Sequence, residues 1–243
     1  MKKKPVFLLI HGFTGHPASW SWMQEQLRQA GFDTYAPTLS GHGTTPAALS
    51  WVRYQDWLDD VEQAFEKVQA EYETVFVAGL SMGGALSLYL AQKYDFKGLV
   101  CLATPVRVAP WKALAFRAVS LVKKWTYKKD GPDIRDRAAR SIMRSYDAYP
   151  RRAGKEFLKL IRLVNRGLSH VTVPILIMHS RQDHTIPVDN ARYIYEHVAS
   201  EHKKIVLLEN SYHILPLDFD KEIIRDEILA FAASIAKPEE AAR

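Results

Sequence analysis

Apolar and polar residues follow two rhythms along this chain. Short, mainly apolar runs at Val6–Ile10, Thr74–Ala78, Gly98–Leu102 and Ile175–Ser180 are the signature of strands buried on both faces. Asp33–Ala36, stopped by Pro37, and Lys204–Leu208 read as two more strands. Between them, apolar positions recur at helical spacing. Tyr54–Glu71 is the clearest case, with Trp57, Leu58, Val61, Phe65 and Val68 on one stripe. Trp20–Ala30, closed by Gly31, and Gly83–Tyr94, Asp189–Ala199 and Asp220–Ile235 read as further helices. Strand and helix in alternation predict an α/β fold: a mostly parallel sheet of about six to seven strands flanked by helices on both faces.

The rhythm breaks between Thr104 and Ser169. No strand is evident there, and several helix-like stretches are. Pro110–Trp125 sets Trp111, Leu114, Ala115, Ala118, Val122 and Trp125 along one stripe, with Lys112, Ser120, Lys123 and Lys124 elsewhere, a basic amphipathic helix. The expected organisation is a core of residues 1–103 and 170–243 with a small helical cap insertion, 104–169, over the carboxyl ends of the strands. The tail Pro238–Arg243 is expected to fray.

Charge sharpens that division. The net charge is +6, yet Pro105–His170 alone holds 17 Lys/Arg against 5 Asp/Glu. Such a surface fits attraction to an anionic lipid surface, and equally a solvated face over a site. No recognised nucleic-acid module accompanies it and the rest of the chain is acidic, so nucleic acid is not an expected partner. The single cysteine, Cys101, sits inside an apolar run; it excludes an internal disulfide framework and reads as packing. The basic start Lys2–Lys4 precedes an apolar run of only about five residues, shorter than the ~7–15 of a signal peptide, and reads as a first core strand. No apolar run reaches transmembrane length, so a cytoplasmic protein is expected. Metal-ligand clusters and phosphate-cradling glycine loops are missing from the pattern, so neither a metal nor a cofactor is expected.

The candidate chemistry starts at Gly79-Leu80-Ser81-Met82-Gly83-Gly84. A serine between glycines, at the end of a buried strand and the start of a helix, matches a strained turn that lifts a nucleophile out of a sheet edge. An ordinary glycine-rich turn with a helix-capping serine would share the pattern. A hydroxyl nucleophile needs a base, and the base needs an acid to hold its tautomer. Of nine histidines, His213 follows the last strand after the loop Glu209–Tyr212 and is the candidate base. His179 lies inside an apolar strand and is set aside. Asp183, in the polar loop after Ile175–Ser180, is the candidate acid; Asp189 is the rival but sits where a helix cap is expected. Two backbone donors are required for the oxyanion. Met82 N–H follows the nucleophile directly, and Phe13 N–H belongs to the loop after the first strand, His11-Gly12-Phe13-Thr14-Gly15. Phe13, Met82 and insertion residues such as Trp111 or Phe116 are expected to line an apolar site. Gly41-His42-Gly43 could border it, though turn geometry accounts for those glycines. Trp51 and Trp57 read as packing residues.

These segments occur in register over nearly the whole chain: His11–Gly15, Gly41–Gly43, Gly79–Gly84, Asp183-His184 and Asn210-Ser211-Tyr212-His213. Together they resemble the bacterial carboxylesterase and monoacylglycerol lipase group of the α/β-hydrolase superfamily. The resemblance implies triad roles for Ser81, Asp183 and His213, oxyanion donors at Phe13 and Met82, and short- to medium-chain acyl esters or monoacylglycerols as substrates. Six visible strands against eight in the full pattern imply a trimmed N-terminal edge. A peptidase or amidase on the same machinery, and a non-catalytic ligand-binding module, are the alternatives.

Overall fold

The computed structural model describes residues 3–128 and 131–236. The expected tail Pro238–Arg243 lies outside the described residues. The six strands β1 (Val6–Ile10), β2 (Asp33–Tyr35), β3 (Val75–Leu80), β4 (Gly98–Leu102), β7 (Ile175–Ser180) and β8 (Lys203–Leu208) form one sheet in the order β2-β1-β3-β4-β7-β8. Every pairing in it is parallel.

Period-2 alternation assigns each strand residue to a face. Val6, Leu8, Ile10, Val77, Leu99, Cys101, Ile175 and Ile177 pack under helices α2 (Tyr54–Glu71), α3 (Met82–Ala91), α6 (Arg151–Arg166) and α7 (Asp189–His197). Phe7, Leu9, Phe76, Ala78, Val100, Leu102, Leu176 and Met178 pack under α1 (Ser21–Gln29) and α8 (Lys221–Ala236). Cys101 is fully buried as expected, and burial pushes its thiol up to about 12. Strand β3 runs two residues beyond its expected end, because Gly79 and Leu80 still pair with Cys101 and Leu102 of β4.

The chain leaves β1 to one side to make β2, then crosses to the other side for β3. The sheet order therefore reverses between the carboxyl ends of β1 and β3, where ligand crevices form in open parallel sheets.

Between β4 and β7 the expectation of an all-helical insertion is corrected. The segment contains α4 (Pro110–Val122), α5 (Arg137–Ile142) and α6, but also two short strands, β5 (Trp125–Tyr127) and β6 (Ala148–Pro150), paired antiparallel. Three residues are too few for alternation to show in sequence; Trp125, Thr126 and Tyr127 are nonetheless good strand formers. Helix α4 stops at Val122, so Trp125 belongs to a strand rather than to the helical stripe. Trp57 is buried as expected, whereas Trp51 is 80% exposed and packs into no core.

Candidate functional site

The turn after β3 is shaped by what its glycines exclude. A side chain at Gly79 would collide with the Gly83 carbonyl and Ser87, and one at Gly83 with the carbonyls of Ile10 and His11. Gly84 is pressed against Thr104 in the same way. Helix α3 can thus start directly against β1 and β3. Ser81 is left at φ 54°, ψ −117°, outside the regions open to most L-residues. It is held there by Ser81 N donating to Leu102 O at 2.8 Å and by Ala85 N donating to Ser81 O at 3.1 Å. Met82 is the first residue of α3, so its amide has no acceptor within the helix.

The loop after β1 lies directly over this turn. A Cβ at Gly12 would stand 3.3 Å from Ser81 Cβ, so glycine is what lets Phe13 approach the serine. Two buried histidines fix the loop. His11 Nδ1 donates to Gly12 O (2.9 Å) and its Nε2 accepts from Leu39 N (3.2 Å). His42 Nδ1 donates to Ser40 O (3.0 Å) and its Nε2 accepts from Thr14 N (3.0 Å). Each ring therefore uses one nitrogen as donor and the other as acceptor, which requires the neutral form. Burial lowers His11 to about 3 and His42 to about 4.

On the other side of Ser81, the loops after β7 and β8 meet. His213 Nδ1 donates to Asp183 Oδ2 at 2.7 Å. Oδ1 of the same carboxylate accepts from Thr185 N and Ile186 N, both at 2.8 Å. Burial alone would raise Asp183, but the facing His213 and the donors from His179 and His213 outweigh it and hold the carboxyl well below its usual range. The His213 loop is anchored by Asp218, which is fully buried and accepts from Tyr212 N (2.8 Å), Arg135 N (2.8 Å) and Asp136 N (2.9 Å). His213 N and Ile214 N both donate to Asp133 O at 3.1 Å, so the insertion is tied to the His213 loop.

Ser81 and His213 open into one cavity of about 590 Å³, within the range of small-molecule sites. Its walls include Phe13, Phe116, Tyr149, Phe157 and Ile214. Phe13 stacks on Phe157 (centroids 5.2 Å apart) and meets Tyr149 edge-on (5.0 Å). Three of these five walls, Tyr149, Phe157 and Ile214, are outside the expected list, to which Phe13 and Phe116 belong. Two expected lining residues are corrected. Trp111 is 68% exposed on the outer side of α4, and the Met82 side chain is buried in the core, leaving only its backbone to face Ser81. Asp189 starts α7 and makes no contact with His213; its role is the first helical turn.

The family model described as Serine aminopeptidase, S33 (Hydrolase_4) matches residues 1–220. The chain belongs to this family. A thermostable monoacylglycerol lipase from Bacillus sp. (strain H-257) is 33% identical over 230 residues, covering 94% of this chain and 90% of the lipase. A carboxylesterase from Bacillus subtilis is 28% identical over 225 residues, covering 92% of this chain and 90% of the esterase. A solved chain from LipS and LipT, two metagenome-derived lipolytic enzymes, superposes with a TM-score of 0.89 at 32% identity, covering 96% of this chain and 95% of that one. The fold of this Hydrolase_4 member is accordingly the α/β-hydrolase fold.

Sequence reasoning missed three contributors to the site of this family member. The sequence marks His42 only as a residue that could border the site, yet it holds the loop that carries Phe13. Asp218 gave no motif at all. His179 reads in the sequence as a strand residue, but its Nε2 lies 3.0 Å from Ile186 O and 3.1 Å from Asp183 Oδ2. Its place four residues before Asp183, at the end of β7, was the available signal.

Proposed function

We propose that this chain hydrolyses carboxylic esters through an acyl-enzyme. What carries the reading is the arrangement around one cavity: Ser81 on a strained turn, and His213 with its Nδ1 committed to the buried Asp183. Nδ1 being the donor, Nε2 of the neutral imidazole is left as the proton acceptor. In this mechanism His213 takes the Ser81 proton as Oγ attacks the ester carbonyl. Asp183 orients the ring and stabilises the imidazolium. The amides of Phe13 and Met82 receive the oxyanion, a kind of contact worth about 10²–10³ in rate per donor. His213 then protonates the leaving alcohol, and water releases the acid by the reverse sequence. The mainly apolar walls fit short- to medium-chain acyl groups, as free esters or monoacylglycerols. Labelling by a fluorophosphonate probe and turnover of p-nitrophenyl butyrate, both abolished by Ser81→Ala, are the expected results. Full activity in that variant would refute the mechanism.

The same proposal takes residues 104–169 as a cap over the core formed by 1–103 and 170–243. The cap residues Phe116, Tyr149 and Phe157 supply cavity walls, and outward on α4 Trp111, Leu114 and Val122 are 68%, 70% and 83% exposed. An apolar outer face on a strongly basic segment supports weak docking on an anionic lipid surface. Sedimentation with phosphatidylglycerol vesicles, reduced by salt, is the test. No described helix is long and apolar enough to cross a membrane. A cytoplasmic location completes the proposal and is checked by fractionation of the source cells.

The family description favours one second reading, amide cleavage at a peptide N-terminus. Comparing acyl esters with aminoacyl anilides separates the two, and preference for the anilides would replace the esterase reading.

A further inference from the structure

The charged side chains in the wall of this cavity do not balance. Asp133 is one of them, and its carboxylate is already occupied: it accepts from His184 N (3.1 Å), His184 Nδ1 (3.0 Å) and Thr185 Oγ1 (3.1 Å). Lys128 is the other. Its Nζ donates to two neutral hydroxyls, Thr14 Oγ1 at 2.6 Å and Ser145 Oγ at 3.2 Å, and both of those residues also line the cavity. Among the described residues no carboxylate lies within ion-pair distance of it, which is 4.0 Å or less. An ammonium taken out of water and offered only hydroxyls is costly unless an anion completes it.

Its position is informative as well. Thr14 follows Phe13 directly, and its own N–H is held by His42 Nε2. Lys128 therefore reaches, from the insertion, the loop that overlies Ser81. The insertion around it holds 17 Lys/Arg against 5 Asp/Glu between Pro105 and His170. That excess draws anions toward the cavity mouth.

We propose that this cavity accepts esters that also carry an anionic group, a carboxylate or a phosphate, with Lys128 Nζ as its counter-ion. The inference rests on the ester-hydrolase reading above. It adds to that reading a substrate class which the apolar walls alone would not suggest. Thr14 and Ser145 hold the ammonium in place, and the substrate anion supplies the charge they lack. Asp147 acts on Lys128 from the neighbouring strand-end, and His42, held neutral, lies on the far side of Thr14. Burial lowers the ammonium to about 8, so it carries its charge at neutral pH.

Two matched pairs of esters test the inference. On the acyl side, the mono-p-nitrophenyl ester of glutaric acid is compared with p-nitrophenyl valerate. On the alcohol side, butyryl-glycerol phosphate is compared with monobutyrin. The reading is the ratio of kcat/KM, anionic over neutral, in wild type, Lys128→Met and Lys128→Arg. In at least one pair the wild-type ratio is expected at or above one. It should fall about 10–100-fold in Lys128→Met, the worth of one charge-assisted hydrogen bond, and recover in Lys128→Arg. The pair that responds tells whether the anion sits on the acyl or the alcohol side. A ratio that is the same in wild type and Lys128→Met for both pairs overturns the inference while leaving ester hydrolysis intact. If neither neutral ester is hydrolysed, the ester-hydrolase reading fails instead. The counter-ion role is then decided by calorimetric binding of glutarate and inorganic phosphate to Ser81→Ala with and without Lys128→Met: a loss of binding supports it, and equal binding or none sinks it.

Discussion

The backbone at Ser81 makes a prediction about stability whose sign is opposite to the ordinary one. Its φ of 54° and ψ of −117° match the first central position of a type II′ turn, a place normally filled by glycine. Holding a residue with a Cβ in such a region costs about 1–3 kcal/mol, and the surrounding structure must enforce it. Here the enforcement is visible in the two backbone bonds to Leu102 O and from Ala85 N, and in Gly79 and Gly83 clamped between β1 and α3. Ser81→Ala removes the hydroxyl but keeps the Cβ and the strain. Ser81→Gly removes both. Elsewhere an Ala-to-Gly change destabilises by about 0.5–1 kcal/mol through the freedom glycine gains when unfolded. Taking about 2 kcal/mol for the strain and subtracting about 1 for that entropy leaves the glycine variant about 1 kcal/mol more stable than the alanine variant. For a chain of this size the difference is about 2–4 °C in Tm. Urea unfolding of the two variants, with equal m-values, measures it directly. A glycine variant equal to or less stable than the alanine variant would mean that the turn is not strained as described.

Four further outcomes follow from the same geometry. Asp183→Asn should lower kcat by about 10³–10⁴ with little change in KM, because the amide favours the wrong tautomer of His213. His179→Gln should lower kcat, since Asp183 loses a side chain 3.1 Å from its Oδ2 that helps to orient the carboxylate toward His213; an unchanged kcat would reduce His179 to packing. Acid should destabilise the fold as pH falls below 6.5. His11 and His42 stay neutral in the native state until about 3 and 4, while their unfolded counterparts bind protons from 6.5 downward. The unfolded state thus holds more protons in that window, and each group contributes a slope of about 1.4 kcal/mol per pH unit. His42→Asn should flatten the fall in Tm between pH 6 and 4.5. Gly83→Ala should destabilise by at least about 1–3 kcal/mol, because its Cβ meets two backbone carbonyls rather than a movable side chain; a Tm equal to wild type would contradict the packing at the turn.

Much of the core could be read from the chain because its two periods are physically distinct. Strands buried on both faces gave mainly apolar runs, and the face of α2 gave a 3.6-residue stripe whose bounds, Tyr54–Glu71, match the helix found. The glycines around Ser81 were legible for the same reason: only they admit the close approach of β1, β3 and α3. What escaped notice acts through tertiary contact. His42 lies 28 residues from the amide it holds, and Asp218 collects donors from a segment more than eighty residues earlier. Neither has a local pattern to betray it. The strands β5 and β6 are three residues each and pair across twenty residues of intervening chain. Trp111 failed as a cavity residue because helical periodicity identifies a stripe without saying which way it turns. The stripe faces outward at Trp111, Leu114 and Val122, while Phe116, off the stripe, turns in.

Core and insertion contribute different kinds of precision to the site. Around Ser81, His213 and Asp183, positions are set by backbone hydrogen bonds and by glycines whose substitution would strike a carbonyl, so little can move without breaking the sheet. Across the cavity, the walls from the insertion are side chains on α4, α6 and a two-stranded ribbon. Their ties to the loops around the site include Lys128 to Thr14, Tyr146 N to Thr14 O, Asp133 O to the His213 loop, and Arg135 and Asp136 to Asp218. Two of those points touch the loop that bears Phe13 and two touch the loop that bears His213. A change in the insertion that alters the substrate cavity is therefore felt at both ends of the reacting ester. Specificity and rate in this chain should be coupled through Thr14 and Asp133, and substitutions at these tie points should alter kcat and KM together, whereas substitutions at Phe116, a wall residue on α4, should act mainly on KM.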